Sequence, residues 1–182
     1  MGQSILLRSR ALTSFPSSKK IYTILAPVPS TAALPKAVTA LVQSPVVSVL
    51  AIGYSTGEIH LHNILTDSPL FTLNRSPRVA APAKTRRVAS LSFCTDPFVG
   101  ADKTINEAGS GRILAVGHDD GHVALWNLEK RRLFGDVRNA HEPSAQGIHA
   151  HWLTGQNVLV TGAADNSVKV GGPDLLLPIE QC

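Results

Sequence analysis

The stretch that decides the fold is GHDDGHVALWNL, residues 117–128. A glycine, two acids and a second glycine have the composition of a tight turn. The apolar residues that follow end on Trp126 and read as a short strand. The same plan occurs 64 positions earlier as GYSTGEIHLHNI and 45 positions later as GAADNSVKV, each time after an apolar stretch rich in β-branched residues. The sequence therefore predicts a strand–turn–strand unit that is repeated along the chain.

Composition narrows the class of protein. The length of 182 residues suits one domain, and 12 prolines and 14 glycines favour short strands and turns over long helices. Cys94 and Cys182 form no disulfide framework, so a reducing compartment fits better than secretion. No apolar run approaches the ~20 residues of a membrane-spanning helix, so the chain is not expected in a membrane. The net charge of +4 is compatible with nucleic acid without requiring it.

Around each copy of the motif the pattern extends to further short strands. In the first unit we predict strands at residues 37–42, 46–52, 58–64 and 69–74. In the second unit we predict them at 88–93, 112–116, 122–126 and 132–137, with a surface loop at 97–111. In the third unit we predict them at 147–152, 157–161 and 166–170, and the fourth strand is missing. One further strand is predicted at 20–25.

Four-stranded units of this kind, with Trp126-Asn127 closing a third strand, resemble the blades of WD-repeat proteins. The first unit has His62-Asn63 at the same place, and the third unit has Gly171. The segments AVTALVQSPVVSVLAIGYSTGEIHLHNI, DDGHVALWNLEKRRL, VRNAH and NVLVTGAADNSVKV together are similar to the tandem-propeller WD-repeat subunits of the small-subunit processome. The resemblance covers roughly residues 20–170.

The resemblance implies an all-β fold, a partial WD-repeat β-propeller that is not closed. It would comprise about two and three-quarter four-stranded blades, at residues 37–74, 86–137 and 141–170, plus one preceding strand. Residues 1–19 are expected to be a disordered or ill-defined leader, and residues 171–182 a tail outside the family pattern. We therefore expect a fragment of a larger protein or a truncated product.

In WD repeats a loop histidine, a hydroxyl on the second strand, a turn aspartate and the third-strand tryptophan form a buried hydrogen-bonded set. The resemblance implies His141, Thr161 and Asp165 for the third unit, and Asp120 and Trp126 for the second. Such a set gives buried polar groups their partners and performs no chemistry.

Two further patterns are candidate sites. Residues 53–57, GYSTG, match the nucleophile elbow of hydrolases, but that elbow needs a helix after the turn, and EIHLHNI alternates like a strand. Ser55 is therefore interpreted as a turn residue. The histidine pairs at 60/62 and 149/151 lie in different units and fall short of the three or four ligands of a metal site. No catalytic, cofactor-binding or metal-binding residue is assigned.

Cationic residues form two clusters. One loop contains Arg75, Arg78, Lys84, Arg86 and Arg87, which are candidate contacts to RNA or phosphate. The second cluster is a turn between strands that contains Lys130, Arg131 and Arg132, and Glu129 offsets part of its charge. For both clusters the alternative interpretation is a solvated surface turn. No aromatic residues alternate with these charges, so a stacking platform for single strands is not supported.

The resemblance implies a non-catalytic scaffold in a nucleolar particle that matures the small-subunit ribosomal RNA. Expected partners are other protein subunits of a pre-ribosomal particle and, as a candidate, pre-ribosomal RNA, with no membrane, cofactor or small-molecule substrate. The alternatives are a truncated product without an independent role, or a generic WD-repeat interaction module of another complex. A Ser- and Arg-rich start also leaves open a mitochondrial protein with a cleaved leader.

Overall fold

The computed structural model describes residues 36–45, 47–74, 87–94, 98–99, 105–106, 109–137, 140–142, 147–153, 155 and 158–171. From residue 37 onward these belong to one compact unit. The predicted leader, the strand predicted at 20–25, most of the basic loop and residues 172–182 lie outside the described residues.

Each repeat of the sequence forms one antiparallel sheet, as predicted. The first sheet runs in chain order through β1 (Val38–Gln43), β2 (Val49–Tyr54), β3 (Ile59–Asn63) and β4 (Ser68–Leu73). The second contains β5 (Val88–Cys94), β8 (Ile113–His118), β9 (Val123–Asn127) and β10 (Arg132–Val137), adjacent in that order. The third contains β11 (His149–Leu153), β12 (Val158–Gly162) and β13 (Val168–Gly171).

The insertion between β5 and β8 differs from the plain loop that the sequence predicts. It contains a two-stranded ladder of β6 (Phe98–Val99) and β7 (Ile105–Asn106), followed by a single helical turn, α1 (Gly109–Arg112). Aromatic and β-branched residues favour such pairing even in a polar segment, because they fit the pleated backbone. Among the described residues no helix is long and apolar enough to cross a membrane.

The second sheet is buried on both faces because it lies between the other two. Along β8, Leu114 belongs to a core shared with the first sheet, while Ala115 belongs to a core shared with the third. Along β9 the same alternation places Trp126 in the core shared with the first sheet and Leu125 in the core shared with the third. Successive side chains of a strand point to opposite faces, so these two strands read as continuous apolar runs.

Neighbouring sheets approach closely where β2 and β8 each have a glycine as the last residue but one. A Cβ on Gly53 would collide with the side chain of Val88, and a Cβ on Gly117 would lie 3.0 Å from Cγ2 of Ile148. Val88 is the first residue of β5, and Ile148 directly precedes β11. The two glycines are equivalent positions of the repeat, so the same contact is made twice.

Gly162 of the third sheet is the next equivalent position, and a Cβ added there would meet no described atom closer than 3.9 Å. On the same sheet Val168 is 70% exposed and Val170 is 41% exposed. The described sheets therefore form an open arc, which confirms the prediction of a partial, unclosed fold.

Candidate functional site

The most extensive buried polar cluster that the structure describes is centred on His141, which is 1% exposed. Its Nε2 lies 3.0 Å from the hydroxyl of Thr161 on β12. Its Nδ1 lies 3.1 Å from Oδ2 of Asp165 and 2.9 Å from the hydroxyl of Ser167, in the turn before β13. The structure thus brings together the three residues proposed for the third unit and adds a fourth, Ser167.

The Asp165 carboxylate organises the turn that faces His141. Its Oδ1 accepts hydrogen bonds from the hydroxyl of Ser167 at 2.7 Å and from the Ser167 backbone N–H at 3.0 Å. Its Oδ2 accepts from the backbone N–H of Glu142 at 3.2 Å. The polar atoms of the cluster all have hydrogen-bond partners if His141 carries its proton on Nδ1. Nδ1–H then donates to the Asp165 carboxylate, and Nε2 accepts from the Thr161 hydroxyl. The cluster holds the loop of His141 against the turn before β13.

Gly121 positions the loop that carries His141. The backbone N–H of His141 donates to the carbonyl of Gly121 at 2.9 Å. Gly121 has φ of +85°, and a Cβ there would collide with the carbonyl oxygen of His141. The turn between β8 and β9 therefore supports the His141 cluster from the second sheet, and only glycine fits there.

Hydrogen bonding lowers the pKa of the Asp165 carboxyl well below its usual range. The Ser167 hydroxyl is the largest cause, and the backbone N–H groups of Ser167 and Glu142 and the His141 ring act in the same direction, while burial opposes them. All of these donors favour the ionised carboxylate.

Acid should therefore weaken the fold through Asp165. A carboxyl whose pKa is lower in the folded state stabilises fully above the unfolded-state pKa of about 3.9, and this contribution is lost as pH falls through the folded-state pKa. We expect unfolding midpoints of the wild type to drop more steeply below about pH 4 than those of Asp165→Asn, which lacks the ionisable group. Urea titrations between pH 6 and 2.5 would measure this, and parallel curves would contradict it.

Of the two residues proposed for the second unit, Asp120 lies in the turn between β8 and β9, and Trp126 lies on β9. Trp126 packs in the core between the first two sheets and is 9% exposed. Among the described residues no hydrogen bond joins it to Asp120. The family pattern needs a hydroxyl on the second strand, and the chain has Val116 there, so the second sheet cannot build the same set.

Two histidine–aspartate contacts were not predicted. His62 Nε2 lies 3.0 Å from Oδ1 of Asp67, and the His122 ring contacts the Asp136 carboxylate. The His118 ring lies 5.6 Å from that of His122. A signal for the first pair is present in the sequence, because a histidine near a strand end and an aspartate in the following turn can meet across a hairpin.

The serines of β5 also join the second and third sheets. Ser90 Oγ accepts from the backbone N–H of Ala150 at 2.9 Å, and Ser92 Oγ accepts from that of Trp152 at 3.1 Å. Serines at alternate positions of an apolar strand, VASLSF, are the sequence signal for this contact, because they lie on one face.

The GYSTG motif forms a hairpin turn and not a nucleophile elbow. The Ser55 hydroxyl accepts from the backbone N–H of Ala37 at 3.1 Å, and Gly57 has φ of +86°. The next element is β3, a strand. A nucleophile elbow requires a helix at this place, so the structure excludes that motif.

Of the five residues proposed for RNA contact, Arg87 lies within the described chain, and Arg75, Arg78, Lys84 and Arg86 lie outside it. The guanidinium of Arg87 pairs with the Asp119 carboxylate at 3.2 Å.

His149 and His151 are exposed on β11. Across the part of the chain that the structure describes, no group of three or more His, Cys, Asp or Glu could hold a metal ion.

Stacked antiparallel sheets with a histidine–hydroxyl–aspartate set define a WD-repeat β-propeller segment. Residues 8–171 match the family described as the WDR36/Utp21 first beta-propeller, and the chain belongs to this family. The match confirms the resemblance found in the sequence. It begins within the stretch predicted as a leader and ends where the predicted tail begins.

Similar proteins agree with this assignment. Human WD repeat-containing protein 36 is 32% identical over 73% of the chain. U3 small nucleolar RNA-associated protein 21 of Saccharomyces cerevisiae is 30% identical over 74%, and its Schizosaccharomyces pombe homolog is 33% identical over 72%. The chain spans about 12% of the length of each. A chain in the crystal structure of the mitotic checkpoint complex shares the fold, with a TM-score of 0.65 over 90% of this chain and 42% of that one, at 16% identity.

Proposed function

We propose that the protein is a non-catalytic scaffold segment of the nucleolar small-subunit processome and supports processing of small-subunit ribosomal RNA. The observation that carries this proposal is membership of the WDR36/Utp21 propeller family over residues 8–171. Two relatives are named for association with U3 small nucleolar RNA. Partners are then protein subunits of a pre-ribosomal particle, with RNA as an additional contact.

The described geometry supports a role in binding macromolecules. The side chains of Thr161 and Asp165 in the third sheet are committed to hydrogen bonds with His141. The third sheet also presents exposed Val168 and Val170 beside the open position at Gly162. Apolar, unpaired sheet surface of this kind is suited to packing against another protein surface.

Co-purification tests the proposed function. We expect the tagged 182-residue chain, expressed in cells, to localise to the nucleolus and to enrich U3 small nucleolar RNA over an unrelated nuclear RNA. Gly121→Ala is the control, because it should disrupt the sheet packing and remove the enrichment. Enrichment of other complexes without U3 RNA would favour a generic WD-repeat module. A diffuse chain without partners would favour a product with no independent role.

A further inference from the structure

The turn between β9 and β10 carries positive charge that no described acidic group neutralises. Lys130, Arg131 and Arg132, hereafter the cationic turn, are consecutive and exposed. Glu129, the acid beside them, pairs with Arg112 at 3.1 Å. Within the described chain no carboxylate lies within ion-pair distance of the cationic turn. The charges of Lys130 and Arg132 are therefore available to a partner, while the guanidinium of Arg131 lies over the ring of Phe71.

The backbone of the cationic turn is held in one conformation. Oδ1 of Asn127, the last residue of β9, accepts a hydrogen bond from the backbone N–H of Lys130 at 2.8 Å. The equivalent turn of the first sheet is held the same way, since Oδ1 of Asn63 accepts from Thr66 N–H at 3.1 Å. A side chain that bonds the backbone ahead of it stabilises such a turn without help from cations.

Comparison of the two turns shows that the cations are not required by the fold. Asp67 and Arg131 occupy the same place, with φ of 50° and 49°. Aspartate tolerates this left-handed conformation better than arginine does. Arg131 partly offsets the cost because its guanidinium carbon lies 4.7 Å from the ring centre of Phe71 on the first sheet. The second sheet therefore keeps a cation where the local conformation favours aspartate.

We propose that the cationic turn binds the phosphate backbone of RNA without reading its sequence. The inference rests on the proposed function, in which the protein is part of a particle that contains RNA. A run of exposed cations is typical of phosphate contacts, whereas protein interfaces are built on apolar and aromatic cores. Leu128, the apolar residue at this turn, is buried. Arg87 lies beyond the opposite end of β9 and is already paired with Asp119.

Fluorescence anisotropy with the full 182-residue chain tests the proposal. The probe is a labelled 20-nucleotide single-stranded RNA of mixed sequence, titrated between 0.1 and 1 M salt. Counterion release predicts that Lys130→Gln and Arg132→Gln each lower the salt slope by about 0.7 and weaken binding about fivefold at 0.1 M salt. Lys169→Gln removes the same charge from the third sheet and should change the affinity less than about twofold.

Each outcome decides the question. Equal loss in Lys169→Gln, or no loss in the two turn variants, would overturn the proposal, with circular dichroism and light scattering confirming the same fold and assembly state. Displacement of the RNA by polyglutamate at equal charge concentration would overturn it in favour of an acidic protein partner. The wild-type chain could fail to co-purify U3 RNA and still bind RNA through the cationic turn. That result would contradict the proposed function and support RNA binding by the cationic turn.

Discussion

Gly121→Ala should lower the free energy of unfolding by about 3–5 kcal/mol, the sum of backbone strain and overpacking costs. The added Cβ would collide with the carbonyl oxygen of His141 and stand 2.9 Å from that of Glu142. Neither carbonyl can retreat easily, because the His141 backbone is bonded to Gly121 and its ring is bonded to Thr161. Urea unfolding followed by tryptophan fluorescence would measure the loss.

Gly147→Ala is the matched control for this effect. Gly147 has φ of +74°, but a Cβ there would meet nothing within 4 Å among the described residues. It should therefore cost only the strain of a left-handed alanine, about 1–2 kcal/mol. The difference between the two variants reports the steric contact between the second and third sheets. Equal losses would show that the turn at Gly121 is not tightly packed.

His141→Phe should lower the free energy of unfolding by about 3 kcal/mol. Phenylalanine fills most of the space but leaves the buried Thr161 hydroxyl without its acceptor. It also removes one donor from the Asp165 carboxylate, which keeps its bonds to Ser167 and Glu142. A buried polar group left without its partner costs about 1–3 kcal/mol. Because the ring of His141 is buried, solvent cannot replace these bonds without disturbing the packing.

A double-mutant cycle with Thr161→Val separates the hydrogen bond from the loss of volume. Thr161→Val alone should cost about 1 kcal/mol, and the double variant about 1 kcal/mol less than the sum of the single losses, because the shared bond is removed once. Fully additive losses would mean that His141 and Thr161 do not stabilise each other. Urea midpoints with unchanged slopes would confirm that only stability changed.

The pairing of strands within each sheet was predictable from the sequence. The boundaries of β10 agree with the prediction, and the other long strands lie within a few residues of it. Alternation of apolar residues and the glycine turns are local features, so a single strand and its neighbour reveal them. The ladder of β6 and β7 was missed because its strands are only two residues long and lie in a polar segment.

The candidate polar site was predictable in part. His141, Thr161 and Asp165 followed from the resemblance to WD repeats, and the structure places them in contact. Ser167 and Gly121 were missed because their roles depend on distances between turns of different sheets. Trp126 packs in the core between the first two sheets, and its place in a hydrogen-bonded set stays a prediction.

The amino-acid sequence by itself determined the repeat and the number of strands in each sheet, because turn propensity and side-chain alternation act over a few residues. Only the tertiary structure decided how the sheets meet. The contact of Gly53 with Val88 and that of Arg131 with Phe71 join residues of different sheets, and no local pattern encodes such distances. Close packing between the sheets requires glycine at residue 53, and it tolerates the left-handed backbone conformation of Arg131.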